Sequence, residues 1–148
     1  MDKESLRNEL IQLLDHEVSD LERMLNSMQE SRDSANKSTA GDKHEVGRAM
    51  MQAEMDTLNA QLVRKKEELS TLTNLPLKLS NESIRKGHLV QTDKGSYYLA
   101  IGLGAVNIEE RSFFAISVDS PIGQALLGHS VGDEVTFNGR SIRIVKID

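Results

Sequence analysis

The chain has no cysteine, no tryptophan, two prolines and only five aromatic residues among 148. Without cysteine there are no disulfides, thiolate nucleophiles or thiolate metal sites, a composition that fits a reducing compartment. No run approaches the roughly eighteen apolar residues of a membrane helix, and the start, Met1-Asp2-Lys3-Glu4-Ser5, lacks an apolar signal core. The expectation is a cytoplasmic protein that does not engage membranes. An excess of positive charge is also missing: 18 Lys and Arg stand against 23 Asp and Glu, a net of −5. Gripping a phosphate backbone by charge alone needs the reverse balance, so independent DNA binding is not expected.

These scarcities are unevenly spread. Residues 1–75 carry ten Lys and Arg against fifteen Asp and Glu and no proline, whereas residues 76–148 balance eight against eight and hold every Tyr and Phe. Two different folding problems share the chain, which places a boundary near Leu75-Pro76 between domains spanning 1–75 and 76–148.

In the first half, Leu10, Leu14, Val18, Leu21, Leu25 and Met28 recur at steps of three and four. That spacing lays them on one stripe of a helix. Met51, Met55, Leu58, Leu62, Leu69 and Leu72 repeat the pattern, with Lys65 at a skipped seam position. Two narrow stripes separated by a short polar break predict an antiparallel coiled-coil hairpin within one chain, and hence a monomer. The break, Ser34-Ala35-Asn36-Lys37-Ser38-Thr39-Ala40-Gly41, is rich in residues that leave or cap helices. It sets the tip near 34–45, with the second helix starting at Asp42. At about 1.5 Å per residue each arm of some thirty residues extends roughly 45–50 Å.

Two chemistries fit Asp42 and Glu45. An acidic N-cap followed three residues later by Glu forms a capping box. Two carboxylates on one first turn also offer oxygen ligands to a hard cation such as magnesium, provided that further ligands come from elsewhere. Lys43 and Arg48 beside them are cations suited to meeting phosphate, or simply solvated residues of a helix start.

From Pro76 the period changes to alternation. His88–Thr92 and Ser96–Ile101 flank Asp93-Lys94-Gly95, and Asp133–Phe137 and Ser141–Val145 flank Asn138-Gly139, a strong hairpin signal. A further strand is expected over Ser112–Val118, and Gly102-Leu103-Gly104 reads as a turn. Ser120 is placed as an N-cap, with Pro121 at the first helical position and Gly128 as the stop. The predicted fold class is α+β: an N-terminal antiparallel coiled-coil hairpin followed by a small antiparallel sheet carrying one short helix. His88 and His129 read as surface or strand-end residues, and no enzyme site shows itself in this half.

Ile116–Gly128, ISVDSPIGQALLG, and Val131–Val135, VGDEV, resemble the C-terminal signature of the Gre transcript-cleavage factors of bacterial RNA polymerase, and Gly41-Asp42-Lys43-His44-Glu45 is similar to that family's hairpin tip. The resemblance covers nearly the whole chain. It implies an FKBP-like C-terminal domain that docks at the rim of the polymerase secondary channel, with Asp119, Ser120 and Pro121 as docking candidates. It also implies a coiled coil that reaches toward the catalytic centre and the nascent RNA 3′ end held there. By that resemblance Asp42 would help hold a magnesium shared with the polymerase, and Glu45 would position the attacking water for cleavage of backtracked RNA. The factor would then have no cofactor of its own and would not be an enzyme, but act in trans on the polymerase nuclease activity.

One segment departs from the family pattern. Val46-Gly47-Arg48-Ala49-Met50 follows Glu45 where family members lead to an aromatic residue. A secondary-channel regulator that does not promote cleavage is therefore a standing alternative, with a coiled-coil adaptor and a prolyl isomerase as more distant ones.

Overall fold

The computed structural model describes the backbone of residues 2–36 and 43–148 and the side chains of residues 2–34 and 45–148. The chain divides into two compact units: residues 11–70, and residues 1–10 together with 71–148.

The first unit is built from two long helices, α1 (Lys3–Asn36) and α2 (Lys43–Thr73). Their apolar stripes bury one another around Leu25, Met55 and Leu58, with Leu21, Met28, Met51 and Leu62 packed at the margins. The charged contacts give the direction. Glu17 pairs with Lys65 at 2.9 Å, Glu22 with Lys66 at 3.4 Å, and Arg32 donates to Gln52 at 3.0 Å. Glu17 and Glu22 early in α1 meet Lys65 and Lys66 late in α2, whereas Arg32 late in α1 meets Gln52 early in α2, so the helices are antiparallel. Lys65, the cation on the seam, is accommodated because Glu17 and Glu68 both reach its ammonium. Such half-exposed pairs each contribute little to stability, and they serve mainly to set register.

The second unit is a six-stranded sheet of β1 (Leu89–Thr92), β2 (Gly95–Leu99), β3 (Gly104–Ile108), β4 (Arg111–Ile116), β5 (Glu134–Phe137) and β6 (Arg140–Ile147), in the order β3-β4-β2-β1-β6-β5. A short helix, α3 (Pro121–Leu126), follows β4. The α+β class is as expected, and both anticipated hairpins form. Asn138 and Gly139 adopt positive φ of 50° and 74°, the pairing that a tight two-residue turn between twisted strands requires. The expected strand over 112–118 is observed as β4, ending two residues earlier. Two features were not anticipated. β3 forms where only a turn was read at its first residue, and β2 pairs with β4 in parallel, Tyr97 opposite Phe114 and Leu99 opposite Ile116. β3 returns antiparallel to β4 on its far side, which lets β4 run alongside β2 in the same direction.

Strand alternation sends two sets of side chains to opposite faces. Val90, Leu99, Ile116 and Ile144 join Leu126 of α3, Val135 and Ile84 in one core. On the other face Leu89, Tyr98, Phe113 and Ala115 are buried. The first turns of α1 belong to this unit. Leu6 and Leu10 are fully buried, Arg111 of β4 donates to Glu9 at 2.5 Å, and Arg7 donates to the Leu75 carbonyl at 3.4 Å. Burial pushes the Tyr98 phenol up to about 12, with the charge of Arg7 opposing.

His88 sits at the end of β1 as read, yet it is fully buried. Its Nδ1 accepts the Arg85 N–H at 2.8 Å, so the ring is held neutral. Burial first, then the nearby Lys3 ammonium, lowers its pKa below the usual 6.5. The folded state thus resists a proton that the unfolded chain takes up near pH 6.5, and stability falls as the pH drops from about 6.5 toward the lowered folded value. Urea midpoints between pH 8 and 5 should show that loss. His88→Asn, which keeps an acceptor for Arg85 but cannot titrate, should flatten it; an unchanged slope would remove His88 as the cause.

Candidate functional site

The residues singled out from the sequence fall in two places. At the hairpin turn, Asp42 lies outside the described residues, as does the side chain of Lys43, which opens α2. Glu45 stands exposed in the first turn of α2, and its carboxylate has no hydrogen-bond or ion-pair partner among the described residues. An unpartnered, solvated carboxylate is free to meet a cation or a water supplied from outside. Arg48, one turn on, is half-buried, and its Nε lacks a partner among the described residues. Val46 and Met50 are 67% and 70% exposed, so the segment after Glu45 presents apolar rather than aromatic surface.

The second place is the loop entering α3. The Ser120 hydroxyl donates to the Ser117 carbonyl at 2.6 Å and accepts the Gly123 N–H at 3.1 Å, while its backbone is extended as an N-cap requires. Pro121 fills the first helical position, where a missing N–H costs nothing. Asp119 and Pro121 are exposed, and the Asp119 N–H is held by the Ser117 hydroxyl at 3.1 Å. Of the three docking candidates, Ser120 is therefore committed to capping, and its neighbours present the surface. The Asp119 carboxylate has no partner among the described residues.

The rest of the C-terminal signature is structural for reasons that can be stated atom by atom. A Cβ on Gly123 would lie 2.2 Å from the Ser117 carbonyl oxygen, so only glycine allows the loop to close on the helix. Asp133 accepts from the Ser130 N–H at 2.9 Å and contacts His129 Nδ1 at 3.2 Å. The backbone donor first, and the His129 contact second, hold the Asp133 carboxyl below the ordinary aspartate value. Ser130 in turn donates to the Glu82 carbonyl at 2.6 Å. A run that looked like a recognition motif is thus largely the scaffold of one loop-helix-loop.

No group of three or more His, Asp or Glu side chains that would cage a metal occurs among the described residues, and no described helix is long and apolar enough to cross a membrane.

A helical hairpin joined to a small, mostly antiparallel sheet with one capped helix defines the class of protein. Residues 101–148, which run from the end of β2 through β6, match the family model described as "Transcription elongation factor, GreA/GreB, C-term". That match covers the C-terminal third of the chain, which is thereby similar to the C-terminal domain of this family. The chain is also similar to a solved structure titled "Structure of the transcription factor Gfh1", with 22% identity over 93% of this chain and 92% of that one and a TM-score of 0.35. No curated protein matches the chain.

Proposed function

We propose that the protein binds RNA polymerase in its secondary channel and stimulates the polymerase's own cleavage of backtracked RNA. The observation that carries this reading is the Gre-type C-terminal segment joined, in one chain, to an antiparallel hairpin whose second helix opens on the exposed carboxylate of Glu45. Asp42, three residues earlier, would share a magnesium with the polymerase, and Glu45 would orient the attacking water. When bound, such an ion stabilises the charge that develops on phosphodiester oxygens and makes its bound water a nucleophile near neutral pH. Two carboxylates cannot cage magnesium unaided, which suits an ion whose remaining ligands belong to a partner. Lys43 and Arg48 are the residues that would meet RNA phosphate, and Asp119 with Pro121 the surface that would meet the channel rim. Cytoplasmic location and a monomeric state accompany this reading.

The test uses a defined backtracked elongation complex assembled with the cognate polymerase. Saturating protein is expected to raise the rate of 3′-fragment release above that of polymerase alone; an unchanged rate would defeat the proposal. A second reading has its own observation. Val46 and Met50 put exposed aliphatic side chains where the family leads to an aromatic residue, and this favours a channel-binding regulator that leaves cleavage unstimulated. Competition with a cleavage-active Gre factor for the polymerase, without cleavage of its own, would decide for the regulator. The adaptor alternative loses its motive because the stripes of α1 and α2 bury each other.

A further inference from the structure

Tyr97 and Phe114 lie on the sheet face that elsewhere packs under α3, directly opposite each other in the parallel β2–β4 register. Their rings stack at 5.3 Å with planes 23° apart. Core residues on this face, such as Leu99 and Ile116, are covered, yet Phe114 remains 40% exposed. Phe137, at the end of β5, and Ile142 of β6 line one cleft with Tyr97 and Phe114. Two hairpin turns then bring one cation each to its edge: Lys94 from the β1–β2 turn and Arg140 at the start of β6. With Asn138 these residues line a cleft of about 410 Å3.

Three properties of the cleft narrow its ligand. It has no carboxylate in its lining, and neither Lys94 nor Arg140 has an ion-pair partner among the described residues, so the uncompensated charge is positive and calls for an anion. Three of its four apolar lining residues are aromatic, Ile142 being the fourth, and this favours a planar ring over a branched aliphatic anchor. Its volume lies at the lower end of the range for small-ligand sites, suited to one ring-bearing unit rather than to a packed helix. The charge of Arg140 is also felt at the Tyr97 hydroxyl, where it opposes the upward push of burial on the phenol. Cation and aromatic surface are therefore neighbours.

We propose that this cleft binds single-stranded RNA, with a base stacked against the Tyr97–Phe114 pair beside Phe137 and its flanking phosphates met by Lys94 and Arg140. The cleft is lined by residues of the sheet unit only, none of which has a role in the proposed function. The overall negative charge of the chain is no obstacle, because residues 76–148 are balanced at eight cations against eight carboxylates and stacking adds an attraction that does not depend on net charge.

The full-length protein is titrated against a fluorescein-labelled single-stranded decauridylate, read by anisotropy, with no polymerase present, so that failure here is separable from failure of the cleavage reading. Saturable binding is expected, with log K falling against log salt at a slope of about −1.4, the value for two phosphates on a single strand. Phe114→Ala should weaken binding at least about fivefold. Arg140→Ala and Lys94→Ala should each reduce the slope to about −0.7. Both cations are exposed, so these variants keep the fold, which circular dichroism checks. No saturable binding at millimolar protein overturns the proposal, as does an unaffected Phe114→Ala variant. Equal affinity for a blunt duplex of the same strand also sinks it, since paired bases cannot stack on the protein, and so does an acidic peptide that occupies the cleft when RNA does not.

Discussion

Gly123→Ala is expected to destabilise the sheet unit by about 3 kcal/mol, the upper part of the range for inserting a methyl group into a packed site. The added carbon would lie 2.2 Å from the Ser117 carbonyl oxygen and 3.0 Å from Val118 Cα, and both are backbone atoms. Neither can rotate away. The Ser117 carbonyl is further pinned by the Ser120 N–H at 3.1 Å and the Ser120 hydroxyl at 2.6 Å, so relief of the clash undoes the N-cap of α3. Leu126, at the other end of that six-residue helix, is fully buried in the sheet core, and displacement of the helix would therefore be felt there. For a domain of this size a loss of about 3 kcal/mol lowers the melting temperature by roughly 12–24 °C. Gly102→Ala is the matched control, because the nearest atom to its added carbon is 4.0 Å away and its φ is not positive. Equal losses in the two variants, measured by thermal unfolding, would mean that close approach is not what holds Gly123 in place.

The second large effect concerns Asp42, whose two candidate roles separate by chemistry. An N-cap needs only a short side-chain acceptor, and Asn serves as well as Asp, whereas a magnesium ligand of this kind needs the charge. If the proposed function is right, Asp42→Asn lowers stimulated cleavage by on the order of 10²-fold, a loss typical of removing one positioned catalytic group. The same variant leaves polymerase affinity and the helix content of the hairpin near wild type. Asp42→Ala costs as much cleavage and adds the loss of a cap, about 1 kcal/mol of helix stability. Full activity in Asp42→Asn with a loss only in Asp42→Ala would assign the residue to capping alone. Glu45→Gln tests the second carboxylate in the same assay, and a comparable fall is expected, since Gln retains the capping geometry but not the charge.

Much of the architecture was legible in the sequence because its signals are local and redundant. The two leucine and methionine stripes fix helix, face and partner together, and the Asn138-Gly139 dipeptide specifies its own turn through the positive φ both residues adopt. Ser120, Pro121 and Gly128 announced the start and stop of α3 for the same reason: each acts on backbone groups within a turn of itself. The candidate site was legible only as residue types at a spacing. Asp42 and Glu45 fit both a cap and a metal ligand, because both roles demand oxygen at the first turn of a helix.

Pairing across the chain is another matter. β3, with Gly104 and an exposed Ala105 among its five residues, has too weak an alternation to be read. The parallel register of β2 and β4 that depends on it was hidden for that reason. Sequence alone settled the helices and every strand but β3, and which face of each long helix is apolar, since those follow from propensity and period within a few residues. Tertiary structure alone decided that residues 1–10 belong with the sheet, that His88 is buried and held neutral, and that Tyr97, Phe114, Phe137, Lys94 and Arg140 meet around one cleft. These outcomes depend on which distant surfaces exclude water from each other, and that is a property of the assembled chain rather than of any window along it.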